Sequence, residues 1–329
     1  MSLPMNQLKS INTKNMSDEE WKQLRTYSIG GSDCGTILGM NNYEDPIKLW
    51  EKKLFPDEYE EDISNKIQVK FGHFNEQFVA QLFEEATGKK VRKHNKMMYH
   101  KDYNFISANV DRVVIGENAL LECKTTSEFQ KDKWKDGNVP ASYMAQCYHY
   151  MAVAGVDVVY IAVMFGNNDF QYEVIERDEE VINDIINAEV EFWNDYIIKG
   201  QRPPANDSKA SSKALNEYWT NTKPDVLTLE GEKVALFKGI VAIKEQMKEL
   251  EKQLRVYQNQ LKELMGEYEH AEVNGFKADW RLQQRTNFET KKFKEEHPEL
   301  YERYKRISTT RTLNVKQKNI ETDKVIKQR

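Results

Sequence analysis

Asp111, Glu122 and Lys124 are the residues whose types and spacing bear most directly on chemistry. On a strand, side chains alternate, so Glu122 and Lys124 share a face while Cys123 points to the other. Asp111 lies near the start of a partner strand, and a short hairpin can bring it beside Glu122. Two carboxylates on one face make a hard-oxygen site suited to magnesium, which prefers carboxylate, water and phosphate oxygens. A lysine beside them can orient or deprotonate an attacking water, or offset charge on a phosphorane-like transition state. The main-chain carbonyl of Cys123 could complete the metal shell. Asp and Glu-x-Lys also meet by chance in charged proteins. Here Leu120-Leu121 precede Glu122 in a strand that reads as buried, where a surface ion pair is less natural.

Further candidates stand elsewhere in the chain. Glu76 sits mid-helix in Phe71-Gly72-His73-Phe74-Asn75-Glu76, flanking the apolar face of Val79, Ala80 and Phe83. Gln146 shares a helix face with Tyr143 and Tyr150. Taken singly, the first reads as a solvated helix glutamate and the second as a hydrogen-bonded core residue. Gly30-Gly31-Ser32 is different in kind: glycines let a backbone approach a ligand, and free amides at a helix start attract phosphate. Arg25 precedes it closely enough to add a bidentate charge. An ordinary helix–helix turn fits the same residues. The six histidines show no metal-ligand spacing, and His73 is expected to pack against its helix neighbours. No dinucleotide-binding, P-loop or nucleophile-elbow pattern is present.

The elements that must position these residues are legible in part. Ser17-Asp18-Glu19-Glu20 is a capping box opening a helix through Trp21, Leu24 and Arg25. Gly30-Gly31-Ser32-Asp33 breaks it and caps the next, and Asp45-Pro46 starts a third. Phe71, Phe74, Phe78 and Leu82 recur at helical spacing, and Gly88 ends that helix. Residues 109–115 and 119–125 read as strands joined by Gly116-Glu117-Asn118. Pro140 opens a helix closed by Gly155. Strands follow at 158–164 and 171–175, then a helix at 179–197. This order predicts an α/β core with a mixed central sheet flanked by helices.

The polar, Pro203-Pro204-containing stretch at 201–230 reads as a linker between a core domain at 1–200 and a C-terminal domain at 231–329. In the latter, Leu236, Ile240, Ile243, Met247, Leu250, Leu254, Tyr257, Leu261 and Leu264 alternate spacings of four and three. That pattern predicts a coiled-coil-like helix roughly 45 Å long at 1.5 Å per residue. A small α+β end follows: a hairpin at Asn274-Gly275, a Lys/Glu-rich helix at 293–304 and a short strand at 310–315.

The 329 residues, 39% of them hydrophobic and 31% charged, suit two soluble domains. The chain has no stretch of the roughly twenty apolar residues that cross a bilayer and no signal-peptide core. Cys34, Cys123 and Cys147 are far apart in sequence, so their spacing indicates neither a disulfide framework nor a zinc site, and a reduced, cytoplasmic setting fits. The formal charge of −5 is unlike a basic nucleic-acid binder. Carboxylates gathered to hold metal lower net charge without touching a DNA path.

In order and spacing, these segments resemble the lambda-exonuclease family, the YqaJ-like viral recombinases of phage and prophage origin, within the PD-(D/E)xK nucleases. The matching residues are Arg25 with Ile29-Gly30-Gly31-Ser32-Asp33, Phe71-Gly72-His73-Phe74-Asn75-Glu76, Asp111, Leu121-Glu122-Cys123-Lys124, Tyr143-Met144-Ala145-Gln146 and Val174-Ile175-Glu176-Arg177-Asp178-Glu179. An iron–sulfur branch would need four cysteines and is excluded. The resemblance implies a restriction-endonuclease-like core, two magnesium ions with manganese able to substitute, and digestion of linear duplex DNA from 5′-phosphorylated ends. It implies metal binding by Glu76, Asp111 and Glu122, catalysis by Lys124, and an active-site place for Gln146. It also implies a 5′-phosphate pocket at Arg25 and Ser32, with Asn109 standing where the family usually has a serine. A toroidal trimer, a single-strand annealing partner and the cytoplasm of a bacterial host are implied as well. An endonuclease on the same core, and a non-catalytic DNA-end scaffold, are the rival expectations.

Overall fold

The first element of the structure, a computed structural model describing residues 9–41, 43–59, 65–307 and 311–317, is the short strand β1 (Ser10–Asn12). Ser17 then caps α1 (Asp18–Thr26) as its spacing from Glu20 predicts, each side chain taking the other's backbone N–H. Gly30 leads into α2 (Gly31–Ile37). Asp45 accepts the Lys48 N–H and caps α3 (Pro46–Leu54), with Pro46 where no N–H is needed, and a single turn, α4 (Pro56–Tyr59), follows. The long α5 (Ile67–Thr87) ends on Gly88, whose φ of +72° is the left-handed conformation that glycine adopts without strain.

Short strands come next: β2 (Val91–Lys93), β3 (Lys96–Tyr99), β4 (Ser107–Asn109) and β5 (Arg112–Val114). They precede the longer β6 (Ala119–Thr126), α6 (Ala141–Ala154), β7 (Val158–Phe165), β8 (Asp169–Glu176) and α7 (Glu179–Glu191). The helix expected over 179–197 continues past α7 as a wider π-type turn, Phe192–Ile198.

One five-stranded sheet runs β2-β5-β6-β7-β8, and β1-β3-β4 form a separate antiparallel sheet. Within the larger sheet β6 and β7 pair in parallel, joined through α6 as parallel strands require, and its other pairs are antiparallel. The expected mixed α/β core is therefore present. The strand expected over 109–115 is instead two strands in two sheets. Asp111 turns its carboxylate onto the Cys123 N–H at 2.8 Å, and a side chain that captures a neighbouring strand's N–H replaces a ladder bond. Pairing stops at that residue.

Alternation along β6 and β7 sorts their side chains between two helices. Ala119, Leu121, Tyr160, Ala162 and Met164 pack with Val79, Ala80 and Phe83 of α5. Leu120, Ile161, Val163 and Phe165 face Cys147, Tyr150 and Met151 of α6. Phe71, Phe74 and Phe78 lie off the packed face of α5 and are exposed, as is His73, which was expected to pack.

The chain divides into two compact units, Met1–Thr220 and Asn221–Arg329. The stretch expected as linker, 201–230, contains α8 (Lys209–Tyr218), capped by Ser208 and burying Ser211 and Ala214. It belongs to the first unit because these small residues seat the helix, with a Lys48–Glu217 ion pair to α3. In the second unit α9 (Val234–Met265) carries the heptad seam, and Asn274-Gly275 turn between β9 (His270–Val273) and β10 (Phe276–Asp279), both at positive φ. The expected helix at 293–304 is split into α10 (Thr290–Glu296) and α11 (Pro298–Tyr304), since a residue before proline is driven out of helical geometry. Of the strand expected at 310–315, Thr310 lies outside the described residues and 311–315 form no strand. No helix among the described residues is long and apolar enough to cross a membrane.

Candidate active site

Glu122 and Lys124 emerge on the α6 face of β6, as alternation requires, because Leu121 and Cys123 are turned to the α5 side. Lys124 Nζ donates to Glu122 Oε1 at 2.6 Å and to Gln146 Oε1 at 2.9 Å. The Gln146 amide N–H group donates back to Glu122 Oε1 at 3.0 Å and to the Tyr150 hydroxyl at 2.7 Å. That hydroxyl donates in turn to the main-chain oxygen of Asn109 at 3.2 Å. Glu122 and Gln146 are both buried. The ring of Tyr143 lies 4.8 Å from Lys124 Nζ, adding a cation–π contact.

Burial would lower the Lys124 pKa, but the charge of Glu122 and its hydrogen bond outweigh it and hold the ammonium above the usual lysine range. Asp111 goes the other way: burial and then the neighbouring Glu122 charge push its carboxyl well above the usual range, against the pull of Lys124. Desolvation and a neighbouring like charge both disfavour the ionised form of the Asp111 carboxyl. Glu122 Oε2 is buried with no hydrogen-bond partner. An acceptor left unpaired among crowded carboxylates fits a bound divalent cation.

Glu76 reaches the same region from α5. It pairs with Arg112, which also donates to the Asp111 main-chain oxygen at 2.8 Å and to Gln77 Oε1 at 3.2 Å. The Glu76 charge adds to the upward push on the Asp111 carboxyl. The four residues Glu76, Asp111, Glu122 and Lys124 are thus gathered by α5, the β4–β5 crossing and β6. Arg112 was missed by sequence reasoning; a buried arginine next to a carboxylate in a strand was its only signal.

Arg25 and Ser32 also meet, with Arg25 Nη2 donating to Ser32 Oγ at 2.9 Å and its guanidinium 4.7 Å from the Trp21 ring. This pair adjoins the carboxylate site through Gly31. A Cβ there would lie 2.5 Å from Tyr150 Cε1 and 3.1 Å from Gln146 Cγ, so the glycine serves close packing of α2 on α6. Lys53, which no spacing pointed to, is buried beneath the pair. It donates to Asp33 Oδ2 at 2.8 Å and to the carbonyls of Arg25 and Ser28. Asn109 ends β4 with an exposed side chain.

Carboxylates crowded beside a charged lysine and a glutamine, with an arginine–serine pair one residue from that cluster, have the donor set to hold a divalent cation. The sequence pattern of the YqaJ-like viral recombinase domain matches residues 20–157. Over 308 residues the chain is 37% identical to "Uncharacterized protein YqaJ" of Bacillus subtilis strain 168, covering 92% of this chain and 95% of that protein. The chain belongs to the YqaJ-like viral recombinase family. Among solved structures it is similar to the alkaline exonuclease LHK-Exo of Laribacter hongkongensis in complex with dAMP. The identity is 20% and the TM-score 0.47, covering 55% of this chain and 93% of that one. It is also similar to a phage related exonuclease from Haemophilus somnus 129PT, at 13% identity and TM-score 0.39, covering 55% of this chain and all of the other.

Proposed function

We propose that this protein is a magnesium-dependent 5′–3′ exonuclease that digests linear duplex DNA from 5′-phosphorylated ends and exposes 3′ single strands for recombination. The observation that carries the reading is Glu122: one oxygen is tied to Lys124 and Gln146, while the other is buried and unpaired beside the raised carboxyl of Asp111. Glu76, Asp111, Glu122 and the main-chain carbonyl of Cys123 would hold two magnesium ions, with manganese an acceptable substitute. Bound there, the metal supplies Lewis acidity at the attacking water and the scissile phosphate.

The chain's own groups do the positioning. Gln146 locks the Glu122–Lys124 pair in one geometry, and Tyr150 locks Gln146. Lys124, held in its ammonium form, serves as a donor that offsets negative charge on the phosphoryl group in the transition state rather than as a base. Arg25 and Ser32 receive the terminal 5′-phosphate, with Asn109 a further donor from the end of β4. Family membership supports the rest of the reading: a trimeric ring around DNA, transfer of the exposed strand to a single-strand annealing protein, and work in the cytoplasm of a bacterium carrying phage or prophage genes.

The test is digestion of end-labelled linear duplex with and without magnesium, comparing 5′-phosphate with 5′-hydroxyl ends and with a covalently closed circle. Magnesium-dependent release from the phosphorylated end alone is expected. Cutting of the circle would favour an endonuclease, and binding without release a scaffold.

A further inference from the structure

Away from the carboxylate cluster, α2, α6 and α7 each send one side chain with metal-binding chemistry into the same small space. Cys34 comes from α2, His149 from α6 and Glu189 from α7, and all three are fully buried. Their sulfur, ring-nitrogen and carboxylate-oxygen atoms lie within 4.8 Å of one another. The surroundings are apolar: Cys34 packs with Ala145 and Ile185 between the three helices. We propose that Cys34, His149 and Glu189 form a structural site for a divalent transition-metal ion of the zinc class, tying α2 to α6 and α7.

Three observations carry this assignment. Glu189 Oε2 is buried with no hydrogen-bond partner, although its other oxygen is 2.7 Å from His149 Nδ1. A fully buried carboxylate with an idle oxygen is costly unless something else occupies it, and a cation is what an acceptor-only group can take. Second, His149 Nε2 donates to the Ser107 carbonyl at 2.8 Å. That bond leaves Nδ1 as the atom turned to Glu189, the outer-shell arrangement that ligating histidines usually show. Third, the charges match. A thiolate and a carboxylate with a neutral imidazole carry the charge that a divalent ion cancels, so the filled site is neutral in an apolar interior.

The metal-free form is coherent too. The imidazole and Glu189 share a proton, and the Cys34 thiol points at the Ala145 carbonyl at 3.6 Å. Burial and the nearby Glu189 charge keep that thiol protonated far above the ordinary range, so a thiolate exists here only with a cation to hold it. On binding, the thiol proton and the Nδ1 proton both leave to solvent, and sulfur, nitrogen and one or both Glu189 oxygens bond the ion. Sulfur and imidazole donors select zinc-like ions over magnesium, so this site and the all-oxygen site at Glu122 take different metals. Cysteine and histidine spacing could not disclose it, because the three donors come from widely separated helices.

The full chain, produced with supplemented zinc and rinsed with chelator at neutral pH, should retain zinc equimolar with protein by elemental analysis. Its cobalt-substituted form should show a thiolate-to-metal charge-transfer band. Cys34→Ser and His149→Gln should lose both signals, whereas Cys123→Ser and Glu122→Gln should keep both. X-ray absorption on the unaltered protein reads the shell directly, should the variants fail to fold, and sulfur in that shell is the expected result. A chain without retained zinc, a shell of oxygen and nitrogen only, or signals that persist in Cys34→Ser would each overturn the proposal.

Discussion

Lys124 Nζ lies 2.6 Å from Glu122 Oε1, and the charge and hydrogen bond of that contact outweigh the burial that would lower the lysine's pKa. Each residue therefore depends on the other: without Lys124 the two carboxylates face each other with less compensation, and without Glu122 the ammonium loses its ion-pair partner and keeps Gln146 and the Tyr143 ring. Lys124→Ala should slow single-turnover cleavage by about a hundred- to a thousandfold, the range for losing one preorganised donor. Glu122→Ala should do at least as much, with DNA binding retained in both, measured by anisotropy. Lys124→Arg, which keeps the charge, should be the least damaged variant at that position. Rates within threefold of the parent for Lys124→Ala would remove it from the active site.

Packing around Gln146 is the next test. Gly31→Ala sets a methyl group against the buried ring of Tyr150, which cannot swing aside without releasing its bonds to Gln146 and the Asn109 carbonyl. Overpacking of this kind costs about 1–3 kcal/mol. The unfolding free energy read from urea titration should fall by that amount and cleavage should drop with it. Unchanged stability and activity would show that α2 and α6 can separate freely.

The buried Lys53–Asp33 pair predicts a strong asymmetry between single and double substitution. Burial alone would raise the Asp33 carboxyl, yet the charges of Lys53 and Arg25 and the hydrogen bonds hold it below the usual range. A carboxyl lowered on folding contributes stability that is present above its unfolded pKa, near 3.8, and is lost as pH falls through the folded value. Lys53→Met strands that carboxylate and should cost about 3–5 kcal/mol at neutral pH. Adding Asp33→Asn should recover much of the loss, in chemical denaturation followed by far-UV circular dichroism.

What could be read from the sequence was what is local. Caps at Ser17 and Asp45, the left-handed ends at Gly88 and Gly155 and the Asn274-Gly275 turn depend on neighbours a few residues away, and each appears where expected. Alternation was enough to put Glu122 and Lys124 on one face. Three-residue strands such as β2 and β4 carry too little periodicity to announce themselves, and the break at Asp111 depends on a hydrogen bond to a strand still to come. Lys53 was illegible for the same reason: on a helix it looks like a surface lysine until α2 closes over it. The helix at Lys209–Tyr218 was hidden by a polar composition whose small residues, Ser211 and Ala214, are the ones that pack.

Division of the chain at Thr220 leads to a deletion test. The Glu122 and Arg25 sites, together with α8, all lie before that boundary. A chain ending at Thr220 should therefore stay folded and keep magnesium-dependent cleavage of short duplexes. The α9 seam, with Met247, Leu250 and Leu254 exposed, is where assembly or partner binding should suffer. Light scattering and pull-down with an annealing protein read that part. A truncated chain with the parent's oligomer mass and partner binding would assign those functions to the first unit.

Arg25 tests the most specific element of the proposed function. Recognition of a 5′-phosphate needs a positive group beyond the scissile bond and separate from the metals. Arg25 is charged, pairs with Ser32 Oγ at 2.9 Å and is braced by the Trp21 ring, while Gly31 beside Ser32 packs against Gln146. A charge-assisted hydrogen bond of this kind contributes roughly 1.5–3 kcal/mol, about ten- to a hundredfold in rate if it is realised in the transition state. Arg25→Ala should slow digestion of 5′-phosphorylated duplex by about that factor. On 5′-hydroxyl ends the parent should already be slow and the substitution should add little, because the contact it removes was never made. Comparing both proteins on both ends separates that contact from damage to the fold, which slows every substrate alike. Asn109→Ala run beside it reports whether the end of β4 shares the load. Equal loss on both ends would make Arg25 a general backbone contact or a brace for α2, and a selective loss in Asn109→Ala alone would move the phosphate pocket to β4.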